Sequence, residues 1–241
     1  MDVTPGAVDG TRRRFLGALP VIALAASACS TSSRSARSAK EVRDSVGPPP
    51  KPATPDEAIR ILADGNARFA ARTPQVRDTA EIDALWGSGI DQSQEPFAIV
   101  LGCADSRLAP EVIFDQFVGD VFVVREAGNI AASPTNLGSL EYGQAVLGAK
   151  VLVVLGHSNC GAVKAAFKQE KPGGNIAAIL DVIRPGIAGA PNLDDAIVRN
   201  VNAVVEHVRR NSPILRDAEK QGDFTIVGAV YDIGSATVRF F

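Results

Sequence analysis

The sequence is poor in the residue types that make cross-links and metal sites. Among 241 residues there are three cysteines, two histidines, one tryptophan, one methionine and two tyrosines. Three cysteines exclude a disulfide-stapled scaffold and leave any metal site a short choice of ligands. Stability therefore has to come from burial, and a hydrophobic fraction of 46% supplies the material for one substantial domain plus appendages. A formal net charge of -2 creates no strong field of either sign, so no nucleic acid partner is expected. No apolar run reaches the ~20 residues that span a bilayer. No internal repeat is visible.

What is present begins with a processed-looking terminus. Arg12, Arg13, Arg14, Phe15 and Leu16 precede a short apolar run over 19–26 and then Ala26, Ser27, Ala28 and Cys29. A charged start, a short apolar middle and a small-residue end make residues 1–29 a secretory signal peptide. The paired arginines followed by Phe-Leu are of the twin-arginine type, which exports folded proteins. Small residues before Cys29 also resemble a lipoprotein box, although Ala26 stands where that box prefers leucine. Membrane attachment is expected only if Cys29 is lipidated, and cleavage without lipid is favoured. Residues 30–55 are a Ser/Pro-rich linker, stiffened by Pro48, Pro49, Pro50 and Pro52. The product is expected outside the cytoplasm, in the periplasm or cell envelope.

From residue 56 to 241 the pattern alternates between strands and helices. Thr54, Pro55, Asp56 and Glu57 open a helix whose apolar positions Ala58, Ile61, Leu62 and Phe69 keep helical spacing. Arg68 near its end reads as a surface arginine beside a buried aromatic, with a functional arginine as the alternative. Residues 78–95 read as a short helix containing Trp86 and then a loop. Continuous apolar runs at 97–101, 121–124 and 151–155 read as strands buried on both faces. Gly102 and Gly156 are expected to turn the chain after the first and third. Short helices follow at 110–117, from Ser133 to Val146, from Cys160 to Phe167 and around 176–183, and a clear amphipathic helix covers 194–210. A strand is expected over 224–232, with residues 236–240 pairing beside it. The expected fold is α/β, a single domain with a mostly parallel central β-sheet flanked by helices.

The chemistry-bearing residues fall just after two of those strands. Cys103, Ala104, Asp105, Ser106 and Arg107 follow the first run, and His157, Ser158, Asn159, Cys160 and Gly161 follow the third. Carboxyl ends of parallel strands are where open α/β sheets place their sites. Two thiols and an imidazole on one edge form a zinc site with three protein ligands, Cys103, His157 and Cys160, and one open position. The alternatives are two cysteines acting as small buried hydrophobes, or a redox pair, which the lack of Cys-x-x-Cys opposes. Asp105 could close the site as a fourth ligand, or Arg107 could hold it off the metal by a two-pronged pair. A plain loop salt bridge is the alternative to that functional pair.

These motifs resemble one family. Cys-x-Asp-Ser-Arg at 103–107, Arg-x-Ala-Gly-Asn at 125–129 and His-x-x-Cys-Gly at 157–161 are similar to the motifs of the β-class carbonic anhydrases, in the same order. The likeness runs over residues 56–232. It implies reversible hydration of carbon dioxide to bicarbonate and a proton by zinc-bound hydroxide, with one zinc ion per chain on Cys103, His157 and Cys160. It implies catalytic roles for Asp105 and Arg107, and a substrate pocket lined by Gln94, Phe122 and Tyr142. In the family that pocket forms at a dimer interface, so a homodimer or higher homo-oligomer is implied. Val100 stands where a bicarbonate-inhibited subset carries tryptophan, so that regulatory site is not carried over.

Two thiolates cancel the formal charge of the metal. Such a site should acidify bound water less than one built of neutral histidines, and low activity at acidic pH is expected. His207, between Glu206 and Val208 on the amphipathic helix, is not expected to shuttle protons. The competing functions are a carbon disulfide or carbonyl sulfide hydrolase on the same fold, and a non-catalytic zinc-binding protein. An intact Asp105 and Arg107 argue against the last.

Overall fold

The computed structural model describes residues 51–75, 83 and 92–241. The signal peptide, Cys29, most of the linker and the helix around Trp86 lie outside the described residues.

The first helix, α1 (Pro55–Ala70), starts where a capping box starts it. Thr54 Oγ1 accepts from the Glu57 amide at 3.3 Å, while the Glu57 carboxylate accepts from the Thr54 amide. These satisfy amides that a helix start leaves orphaned. Ala58, Leu62, Gly65 and Asn66 form its buried face. A Cβ on Gly65 would lie 1.8 Å from the Phe114 carbonyl oxygen, so only glycine lets α1 approach that backbone. Asn66 then joins three segments: its amide donates to Ile113 O and Ala236 O, and its oxygen accepts from Val238 N. Arg68 is taken up by Asp115, Nε to Oδ2 at 2.6 Å, a structural ion pair.

Five strands, β1 (Ala98–Gly102), β2 (Val121–Arg125), β3 (Val151–His157), β4 (Thr225–Asp232) and β5 (Thr237–Phe240), form one sheet in the order β2-β1-β3-β4-β5. The first four are parallel, and β5 pairs antiparallel with β4. Strands β1 and β3 are buried at every position, as their unbroken apolar runs require. Strand β2 has the same composition but only half-buried side chains, because it is the edge strand. The expectation that it is buried on both faces is corrected.

A second correction concerns Gly156. It does not turn the chain: β3 continues through Gly156 and His157, which pair with Val230 and Tyr231. A Cβ on Gly156 would meet Val201 Cγ2 at 2.6 Å, so the glycine makes room for a helix crossing the strand. That helix is α6 (Leu193–Asn211), reached after α2 (Pro110–Ile113), α3 (Pro134–Ala145), α4 (Gly161–Phe167) and α5 (Ile176–Gly186). Its buried stripe of Ala196, Ile197, Val201, Val204, Val205 and Val208 packs on β3 and β4. A further helix, α7 (Pro213–Gln221), was not expected from the sequence. Ser212 caps it through Leu215 N at 3.2 Å and also donates to Glu141 on α3 at 2.6 Å.

Candidate metal centre

Strand order brings the two polar clusters together. The chain runs from β1 to β2 on one side, then places β3 on the other side of β1, so the strand order reverses between β1 and β3. The crevice at the carboxyl ends of such a pair is the usual ligand site of an open α/β sheet. Gly102 pairs with Leu155, so Cys103 emerges beside Gly156 and His157 across the ~4.8 Å that separates neighbouring strands. After His157 the chain doubles back through Asn159 at φ 54, a left-handed conformation that asparagine tolerates. The turn delivers Cys160 as the N-cap of α4, rather than within its first turn.

The three side chains converge. The sulfurs of Cys103 and Cys160 and a ring nitrogen of His157 all lie within 4.8 Å of one another, and all three residues are buried. His157 Nδ1 is 3.0 Å from the Ser158 carbonyl oxygen. A carbonyl only accepts, so Nδ1 carries the proton and Nε2 presents a lone pair. That Nε2 is buried and has no hydrogen-bond partner among the described residues. A buried lone pair without a donor is costly unless a cation takes it. Two sulfurs and one imidazole nitrogen at this spacing fit a tetrahedral metal with one position left over. The hydrogen bond between the two sulfurs pulls their acidities apart. The Cys160 thiol, with the amides of Gly128 and Asp105, brings the Cys103 thiol well below its usual range. Cys160 is pushed up by that same hydrogen bond and by burial.

Asp105 stands at the open side. Its Oδ2 lies 4.0 Å from His157 Nε2. Arg107 grips both carboxylate oxygens, Nε to Oδ1 at 2.8 Å and Nη2 to Oδ2 at 2.7 Å, and its amide adds a third bond at 3.0 Å. The Arg107 guanidinium holds the Asp105 carboxyl well below the usual carboxylate range. Arg107 therefore keeps the carboxylate ionised and oriented at once.

Three further residues support this edge: Arg125 and Gly128, noted above only as positions of the 125–129 motif, and Asn200, which the sequence did not single out. Arg125 donates to Cys103 O at 3.0 Å and Asp105 O at 2.6 Å, clamping the backbone that carries both side chains. Gly128 N donates to Cys103 Sγ at 3.3 Å, and Gly128 O accepts from Asn200 Nδ2 at 2.9 Å. The signal for Asn200 was an amide inside the apolar stripe of α6, between Ile197 and Val201.

The residues expected to line a substrate pocket are not brought to the cluster within one chain. Gln94 is exposed and precedes β1, at the opposite edge of the sheet. Phe122 pairs in register with Ile99, about 13 Å along the strand from Cys103 at ~3.3 Å per residue. Tyr142 is 47% exposed and packs against Phe122, with ring centroids 6.3 Å apart. His207 belongs to α6, where its Nδ1 lies 3.2 Å from the Asn211 amide nitrogen.

Comparison with known proteins agrees with this geometry. The sequence profile of the carbonic anhydrase family matches residues 98–238. The carbonic anhydrase of Mycolicibacterium smegmatis is 37% identical over 196 residues, covering 78% of this chain and 93% of that protein. Carbonic anhydrase 2 of Mycobacterium tuberculosis is also 37% identical, covering 77% and 93%. Among solved structures, the Coccomyxa β-carbonic anhydrase in complex with acetazolamide superposes with a TM-score of 0.57 at 32% identity, covering 74% of this chain and 83% of that one. A tetrameric β-carbonic anhydrase from Sordaria macrospora shares the fold, with a TM-score of 0.61 at 24% identity over 77% of this chain and 97% of its own.

Proposed function

The chain belongs to the β-class carbonic anhydrase family, and from that premise we propose how its own residues carry out the reversible hydration of carbon dioxide. Cys103, His157 and Cys160 hold one zinc ion per chain. The observation that carries this is the orphaned His157 Nε2 facing two buried sulfurs. Zinc held there would supply the nucleophile for carbon dioxide by making a bound water easier to ionise. Asp105 would accept a hydrogen bond from that nucleophile and aim its lone pair. Arg107 keeps Asp105 from becoming a fourth ligand, and Arg125 keeps the loop from drifting.

Purified mature protein should contain zinc near one per chain and hydrate carbon dioxide rapidly at alkaline pH in a stopped-flow assay. Full zinc with no hydration, or with faster hydrolysis of carbonyl sulfide or carbon disulfide, would overturn the assignment.

The pocket is completed by a second copy. Strand β2 ends the sheet, and Val112, Val118, Tyr142 and Val146 beside it are each about half or more exposed. An apolar edge of this kind is a liability in a lone chain and is covered by pairing. A homodimer formed there places Gln94, Phe122 and Tyr142 of one copy against the metal centre of the other. The enzyme is exported by a twin-arginine signal at 12–16, cut near Cys29 without lipid, and works outside the cytoplasm with residues 30–55 as a tether. Protein recovered from the periplasm should have an intact mass matching cleavage near residue 29 and sediment as a dimer or larger. A full-length cytoplasmic monomer would contradict both proposals.

A further inference from the structure

Cys103 receives a hydrogen bond from a backbone that is itself held from behind. Gly128 directs its N–H at Cys103 Sγ and its carbonyl at Asn200 Nδ2. Its φ of 76° suits glycine, and a Cβ would meet Ile183 Cδ1 at 2.7 Å and Ala162 Cβ at 3.3 Å. Gly128 is therefore wedged between the ligand sulfur, α4 and α5, and Asn200 closes the remaining side.

Asn200 is only 2% exposed and sits in the stripe Ile197, Val201 and Val204 that packs α6 on the sheet. Valine or leucine would suit that stripe better, because burying an amide costs free energy unless it is bonded. The bond it makes leads to the metal ligand. We propose that Asn200 is a positioning residue, which fixes Gly128 so that its N–H stays on the Cys103 sulfur. The proposal rests on the metal centre described above and adds a residue outside it.

An N–H bonded to a thiolate draws charge from the sulfur, and the same contact keeps the ligand from swinging away. Outer partners of this kind typically change metal affinity or activity about 10–100-fold when removed. Loss of the Asn200 amide should make the Cys103 thiolate more electron-rich and the site looser.

The test uses the full mature chain loaded with cobalt or zinc. In Asn200→Leu the thiolate-to-cobalt charge-transfer band should move to longer wavelength, and zinc should pass to a chelator about 10–100 times faster than from the parent. Asn200→Ala, which leaves space rather than adding bulk, gives the same measurement if leucine is not accommodated. Val208→Ala removes buried packing further along α6, far from Gly128. It should lower the unfolding temperature with the band and zinc retention unchanged. Asn200 variants indistinguishable from Val208→Ala in both readouts would overturn the positioning role alone. A parent chain with no thiolate–cobalt band would overturn the metal centre and this proposal together.

Discussion

Cys160→Ala is expected to lose metal and activity together while keeping the fold. The residue is small and caps α4 through its backbone, with no side-chain capping bond to lose. Its sulfur, however, is one of the three candidate ligand atoms that converge among the described residues. Structural zinc sites in small peptides bind with ~10–16 kcal/mol, which spread over three ligands suggests about 3–5 kcal/mol for each. That corresponds to roughly 10²–10⁴-fold weaker retention. Hydration of carbon dioxide should fall to the uncatalysed background. Because an ion that binds only the folded state stabilises it, the parent should melt at lower temperature after chelation, and the variant should not respond to chelator. Zinc by atomic emission and calorimetry with and without chelator check this. A variant that keeps one zinc per chain would remove Cys160 from the ligand set.

How much of this was legible in the sequence depended on whether the signal was local. Strands β1 and β3 announced themselves, since unbroken runs of Val, Ile and Leu fit little except a doubly covered strand. Val121, Phe122, Val123 and Val124 look the same, yet they form the edge. Composition reports what a strand could bury, not which neighbours the topology provides. Gly156 was misplaced for a related reason. A glycine after an apolar run signals a turn, whereas here its missing Cβ admits Val201 from a helix distant in sequence. Helix α7 was hidden by the end of α6, although Ser212 and Pro213 carried an ordinary start signal. At the candidate metal centre Cys103, His157, Cys160 and Asp105 stood out because few other residue types do metal chemistry, and the fold brings them together. The supporting roles of Arg125 and Gly128, visible only as motif positions, and of Asn200 did not stand out, because they arise from contacts across 20, 22, 25 and 72 positions. Only the fold makes those separations short.

Asp105→Ala is expected to lower the hydration rate by about 10²–10⁴-fold, the range typical of a lost acid–base group, with zinc still near one per chain. Arg107→Ala should give a similar loss by a different route. Without its paired bonds, a carboxylate already 4.0 Å from His157 Nε2 is free to turn onto the metal and close the open position. If the two residues act as one unit, the double variant should be about as slow as the worse single one. Multiplicative losses would overturn that coupling. The pH profile separates their contributions further. Arg107 depresses the carboxyl of Asp105 in the folded protein, so the stabilising pair is intact above the ordinary carboxylate range and is lost only as pH falls through the depressed value. Asp105 therefore remains ionised through mildly acidic pH in the parent enzyme. The fall in rate expected there belongs to the nucleophile, which two thiolate ligands make harder to ionise. Rates measured from mildly acidic to alkaline pH should rise in the parent and in Asp105→Ala alike, displaced in size. A flat parent profile would show that the thiolates do not set the acidic limit.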